Sequence, residues 1–157
     1  MAGKICCFAG HSEIYDTDAV SAVLKDKIEY LILNENVKEF WAGNYGQFDM
    51  LAAKSVRELK NKYKDIKLVL VIPYLTKEIN EYKEQYYAKY DEIVMADIPL
   101  SSPKNLKIIK CNEYMVRESE FMICYVKYSW GGASKTLNYA KKMKLKIINI
   151  NNVIENK

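Results

Sequence analysis

Three short stretches of this 157-residue chain place glycine beside polar and aromatic residues: GHSEIYD (Gly10 to Asp16), GNYGQFD (Gly43 to Asp49) and YSWGGASK (Tyr128 to Lys135). The chain has six glycines, so drawing Gly10, Gly43, Gly46, Gly131 and Gly132 into these stretches leaves Gly3 alone elsewhere. Glycine admits positive φ and lets a ligand come close to the backbone. The third stretch carries the most definite chemistry. Gly131 and Gly132 lead into a helix beginning near Ala133 or Ser134, and the first N–H groups of a helix lack intrahelical partners and sit at its positive pole. A phosphate suits such an end. Ser134 and Lys135 add a hydroxyl and a cation, Ser129 belongs to the same turn, and Tyr128 and Trp130 offer faces for a base or a pocket wall. The plain alternative is a tight turn with Trp130 in the core.

The other two stretches read in the same double way. His11, the only histidine, stands beside Ser12 just past a strand, poised equally for ligand contact or for a structural bond. Asn44 and Tyr45 line a pocket or simply form a turn. Asp49 holds ribose hydroxyls or stabilises the start of its helix.

The elements that must position these loops follow from hydrophobic period. KICCFAG (Lys4 to Gly10) reads as a buried strand. Thr17 to Leu33 carries a helical stripe of Ala19, Val20, Val23, Leu24, Ile28, Leu31 and Ile32, with Asp16 or Thr17 as N-cap. VKEFWAG is a second strand. GQFDMLAAKSVRELKNKY is a second amphipathic helix facing inward with Phe48, Leu51, Ala52, Ser55, Val56 and Leu59. IKLVLVIP is a strand ended by Pro73, Thr76 to Tyr90 a tyrosine-rich helix, EIVMAD a fourth strand, CNEYMVRESE a helix after the loop containing Pro99 and Pro103, FMICYVKY a fifth strand, and LKIINI a sixth after the long helix that the glycine turn opens. Strand-helix alternation with nearly continuous apolar strands means parallel strands covered on both faces. The expected fold is α/β: a single Rossmann-like three-layer domain over 1–157 with a mostly parallel sheet of about six strands. In such a sheet ligands bind beyond the carboxyl ends of the strands where their order reverses, and all three glycine stretches follow strands.

Composition excludes several classes. Half of the residues are apolar and 28% are charged, which argues against disorder. A net charge of +4 suits a small anionic ligand, and nucleic acid is not an expected partner because that class shows a clustered basic face. Cys6, Cys7 and Cys124 lie in apolar runs, and Cys111 forms no C-x-x-C or Cys/His spacing with them, so no metal is expected and reduced cysteines in the cytoplasm are. No apolar run approaches the ~18 residues of a membrane span, and no cofactor is indicated. Tyr82, Tyr86, Tyr87 and Tyr90, interleaved with lysine, read as a core stripe or subunit contact rather than a single-strand binding surface.

CCFAGHS, GNYGQFDMLAA and YMVRESEFMICYVKYSWGGASKTLNYAKK, in this order, resemble the SLOG superfamily, which unites the Lonely-guy phosphoribohydrolases with the DprA/Smf proteins. The match resembles most the small bacterial and prophage YoqJ/YpsA-like branch and covers Lys4 to Ile150. The resemblance implies a Rossmann-like sheet, a nucleotide-derived or ADP-ribose-like ligand held near Gly10, His11, Gly43, Gly46, Asp49, Gly131 and Gly132, and a homo-oligomer. Hydrolytic relatives carry P-G-G-x-G-T-x-x-E, whose glutamate assists cleavage of the N-glycosidic bond. Here Trp130, Ser134, Lys135 and Asn138 replace the proline, third glycine, threonine and glutamate, and Cys111 or Asn112 stands where an arginine is expected. An amide cannot act as the carboxylate does. Two functions follow: a binding module, as sensor or sequestering protein, or an N-glycosidase or ribosyltransferase. The second needs a carboxylate from among Glu13, Asp49 and Glu118. Glu13 is best placed by its loop, while Glu118 and its neighbour Arg117 also fit an exposed salt-bridge role.

Overall fold

The computed structural model describes residues 3–99 and 101–155; the ends of the expected 1–157 domain and Leu100 lie outside them. The elements run β1 (Lys4–Gly10), α1 (Thr17–Asn34), β2 (Val37–Ala42), α2 (Gln47–Lys60), β3 (Lys67–Ile72), α3 (Lys77–Glu81), α4 (Lys83–Lys89), β4 (Glu92–Met95), α5 (Lys104–Glu118), β5 (Phe121–Tyr125), α6 (Gly132–Lys142), β6 (Lys146–Asn149) and α7 (Ile150–Glu155). The strands form one six-stranded sheet in the order β4-β3-β2-β1-β5-β6. Every pairing is parallel, where the sequence predicts only a mostly parallel sheet. The chain builds outward from β1 to β4, then returns to lay β5 on the free edge of β1, so strand order reverses between β1 and β5.

The apolar runs are explained by burial on both faces. Cys6 and Phe8, Leu68, Leu70 and Ile72, and Phe121, Ile123 and Tyr125 pack on one side against α1, α2 and Ile150 of α7. Their neighbours Cys7 and Ala9, Val69 and Val71, and Met122, Cys124 and Val126 pack on the other side against α5 and α6. Successive side chains of a strand point to opposite faces, so one uninterrupted apolar run supplies both cores. The stripe expected on α1 is buried from Val20 to Ile32, and Asp16 is its cap, accepting the N–H of Ala19 at 3.2 Å.

Several expected elements need correction: α5 starts at Lys104, seven residues before the expected Cys111, and β5 ends at Tyr125, three before Tyr128. The single helix over Thr76 to Tyr90 is two, broken at Tyr82, whose φ of −111° and ψ of 35° leave the helical region. Its tyrosines therefore do not share a stripe. Tyr90 is buried beneath the Arg57 guanidinium, 5.6 Å from the ring centre, Tyr86 packs at the core margin, and Tyr82 and Tyr87 are exposed. The sixth strand also ends one residue earlier than expected, at Asn149. The Asn149 carboxamide oxygen accepts the N–H of Asn151 at 3.2 Å and turns the chain into α7.

Gly10 lies where β1 passes the first turn of α2. A Cβ there would stand 2.3 Å from Cγ of Phe48, a ring that is fully buried. Overpacking of this kind costs about 1–3 kcal/mol. Gly10→Ala is therefore expected to lower unfolding free energy by that amount in urea titrations, and an unchanged midpoint would contradict the close packing.

Candidate functional site

The reversal between β1 and β5 opens a cleft of about 480 Å³ at the carboxyl edge of the sheet, lined by residues of the loops after β1, β2 and β5 and by α5 and α6. Its size falls in the range of small-molecule sites. The loops are tied to one another directly. The Lys127 N–H donates to Nε2 of His11 at 2.9 Å, and the Gln47 N–H donates to the Ser12 carbonyl at 2.9 Å. The Ile14 N–H donates back to the Gln47 side-chain carbonyl. A Cβ on Gly46 would approach Cα of Ser12 to 2.6 Å, so glycine there allows the first two loops to touch. From the β6 side, Asn149 brackets Val126, accepting its N–H at 3.2 Å and donating to its carbonyl at 3.1 Å. The segment that carries Tyr128 to Gly132 is thus anchored at its root from β1 and from β6.

Helix α6 begins without a cap. Gly131 has φ of +93°, which suits glycine, and no side chain accepts from the first turn, which also holds no acidic residue. The first helical bond runs from the Lys135 N–H to the Gly131 carbonyl at 3.1 Å. The amides of Gly132, Ala133 and Ser134 are left without intrahelical partners. A Cβ built on Gly131 or Gly132 meets nothing within 4 Å, so protein side chains do not plug the space above them. Helix α2 likewise starts at Gly46 with no side-chain cap.

One wall is aromatic. His11 and Tyr128 lie 5.1 Å apart between ring centres, and Tyr128 and Trp130 are stacked at 4.7 Å and 21°. Tyr125 meets His11 edge-on at 5.9 Å. Because Nε2 of His11 accepts a backbone N–H, the neutral ring carries its proton on Nδ1. Partial burial, and then the Lys127 ammonium, hold its pKa below the usual histidine value.

Asp49 is the other polar feature. One carboxylate oxygen accepts the Tyr45 N–H at 3.1 Å. Part of the side chain reaches the cleft, yet surrounding protein crowds the carboxyl, and that burial pushes its pKa up to about 6 against the single opposing backbone bond. Gly43 makes room for it, since a Cβ there would lie 3.2 Å from Oδ2. Burial, with Cys111, Tyr74 and Asp49 nearby, also raises the Tyr45 phenol.

Of the residues singled out in the sequence, Gly10, His11, Ser12, Glu13, Tyr45, Gly46, Asp49, Tyr128, Trp130, Gly131, Gly132 and Ala133 line the cleft together. Gly43, Asn44, Ser129, Ser134 and Lys135 do not. The Ser134 side chain is buried and Lys135 is exposed on α6, so the hydroxyl and the cation expected from the first turn are turned elsewhere. Glu118 is excluded as a cleft carboxylate. It ends α5 and lies just before β5, a full strand length from the Tyr125 end where the cleft opens. Glu13 does line the cleft and accepts the Tyr15 hydroxyl at 3.3 Å. Tyr125, Lys127, Thr136 and Ile108 are lining residues that the sequence reading missed. Tyr125 and Lys127 follow from the strand-end rule, and Thr136 from its place one turn after Gly132. Ile108 and its lining partner Asn112, four residues on, are brought in by the packing of α5 alone.

The raised Asp49 pKa has a measurable consequence. The unfolded chain releases this proton near the ordinary value of 3.8, the folded protein only near 6. Asp49 therefore opposes folding increasingly as pH rises through that window, by about 2–3 kcal/mol above it. Asp49→Asn keeps an acceptor for the Tyr45 N–H. It should stabilise the protein by about 1–3 kcal/mol at pH 8 and by almost nothing at pH 4; equal effects at both pH values would mean that Asp49 titrates normally.

Comparison with known proteins agrees with this architecture. The YpsA family model, described as the YspA SLOG family, matches residues 6–153. The uncharacterized SPbeta prophage-derived protein YoqJ of Bacillus subtilis (strain 168) is 31% identical over 138 residues, 76% of this chain and 81% of that protein. DNA processing protein A (DprA) from Streptococcus pneumoniae superposes with a TM-score of 0.66 at 14% identity, over 92% of this chain and 49% of the DprA chain. The chain thus spans about half of the DprA chain, with which it shares the fold. Matched along nearly its whole length, the chain belongs to the YpsA SLOG family.

Proposed function

We propose that the cleft binds a small nucleotide-derived molecule, a nucleoside phosphate or an ADP-ribose-like compound, and that the protein senses or sequesters it. The observation that carries this reading is the start of α6. Three amides without helical partners, at Gly132, Ala133 and Ser134, stand at a helix positive pole, and Gly132 and Ala133 line the same cleft as an aromatic wall and a carboxylate. Phosphate bound at the amides is neutralised by the helix end, and Asp49 and Ser12 supply polar partners for a sugar. A nucleic-acid substrate, suggested by the name of the DNA processing protein, is less well supported. The site is a cleft of about 480 Å³ in a chain of net charge +4, and among the described residues its lining holds one lysine, Lys127, and no arginine.

A second reading, hydrolysis or transfer at an N-glycosidic bond, draws support from one feature. Asp49, its pKa raised to about 6 by burial, shares the cleft with a second carboxyl group, Glu13, and two carboxyl groups, one of them raised, are what general acid–base cleavage uses.

The binding reading is tested at Gly132. Proline is tolerated at the first position of a helix, and a Cβ there meets nothing within 4 Å beyond its own helix and chain neighbours, so Gly132→Pro is expected to remove one amide donor and spare the fold. With AMP, ADP or ADP-ribose at a hundredfold excess over Kd, the wild-type protein should gain about 2.7 kcal/mol of stability. Gly132→Pro should melt like wild type without ligand and bind at least about 10-fold more weakly, as loss of a charge-assisted hydrogen bond requires. Unchanged affinity in this variant would remove α6 from the site. Base release from the same panel, lost in Glu13→Gln or Asp49→Asn, would favour the enzyme instead.

A further inference from the structure

We propose that Trp130 is the base-selecting residue of the cleft, stacking a purine on its outer face. The inference rests on the nucleotide reading above and adds the identity of the base class. His11, Tyr128 and Trp130 form a ladder of rings with centre spacings of 5.1 Å and 4.7 Å. Tyr128 stands between the other two, tilted 43° from His11 and stacked on Trp130, and is itself 45% exposed. Trp130 ends the ladder: among the described residues Tyr128 is its one ring partner, and the indole is 68% exposed. The other tryptophan, Trp41, is 8% exposed and stacked on Tyr114 at 6.0 Å, the usual fate of so large an apolar ring. An indole held flat by a stacked neighbour and left open at the rim of a cleft has the form of a platform for a planar partner.

The position of the platform favours a nucleotide's geometry. Trp130 directly precedes Gly131 and Gly132, which open α6 and line the same cleft. A base over the indole and a phosphate on the first amides of α6 are thus offered by adjacent residues. The root of the ladder is held by the Lys127–His11 and Asn149–Val126 bonds. Trp130, Gly131 and Gly132 carry no side-chain group beyond the indole N–H that could read a base edge. Selection on this face therefore follows ring overlap, with the bicyclic purines above the pyrimidines, and adenine and guanine close to each other.

Binding of AMP, GMP, CMP and ribose 5-phosphate by calorimetry, with tryptophan quenching in parallel, tests this. Quenching should report Trp130, since Trp41 is buried. AMP and GMP should bind several-fold more tightly than CMP, and ribose 5-phosphate, which keeps the phosphate and lacks the base, most weakly. Trp130→Ala should weaken AMP by about 5- to 150-fold, the range for loss of one base–aromatic stack, and leave ribose 5-phosphate unchanged. Trp130→Phe should recover part of the loss. Equal affinity for AMP and ribose 5-phosphate, or an AMP affinity indifferent to Trp130→Ala, would overturn the stacking proposal and leave the phosphate site standing. Failure of all four to bind would overturn both. Ligand-free self-association abolished by Trp130→Ala would assign the exposed indole to a contact between copies and also overturn it.

Discussion

The first turn of α6 is the constraint around which the cleft is organised. A helix that starts on a positive-φ glycine, with no capping side chain and no acid nearby, keeps its amide dipoles unmet. Water can meet them at some cost in stability relative to a good cap, which is worth roughly 0.5–2 kcal/mol. Helix α1 has such a cap in Asp16 and α3 has one in Thr76. The two helices that open onto the cleft, α2 and α6, begin on Gly46 and Gly131 and have none. Helices α4 and α5 also start without a side-chain cap, so a missing cap alone does not mark the cleft; α6 differs from them in starting on a positive-φ glycine that lines it.

Asp49 makes sense against that background. A carboxyl crowded by protein and held up to about pH 6 is a liability for folding, and groups of this kind concentrate at sites that use them. Its location in the first turn of α2, across from α6, gives the cleft a negative element beside two positive helix ends. A ligand that is anionic along its whole length would be repelled by Asp49 and Glu13. One with a phosphate at one end and hydroxyls at the other matches both. This polarity, rather than the overall charge of the chain, is the electrostatic argument for a sugar phosphate.

Much of this was legible in the sequence because buried parallel strands are continuous apolar runs. Lys4–Gly10 is recovered to the residue, and the three glycine loops fall on the correct edge because each follows a strand. What was illegible has physical causes. Gly10 and Gly46 read as room for a ligand, whereas a Cβ on them would strike Phe48 and Ser12; a sequence does not say which neighbour a missing side chain accommodates. Ser134 and Lys135 follow the glycines directly, but helical rotation buries one and points the other outward. The break at Tyr82 and the turn at Asn149 depend on one backbone conformation and one side-chain bond, neither of which alters the hydrophobic period. Glu118 was adjacent to a strand in sequence, at its wrong end in space.

The amides themselves can be observed. In a 15N-labelled sample titrated with AMP, the account predicts that the largest backbone shift changes fall on Gly132, Ala133 and Ser134, with smaller ones at His11, Lys127 and Tyr45. A titration in which those three amides stay fixed while residues elsewhere respond would contradict the central claim.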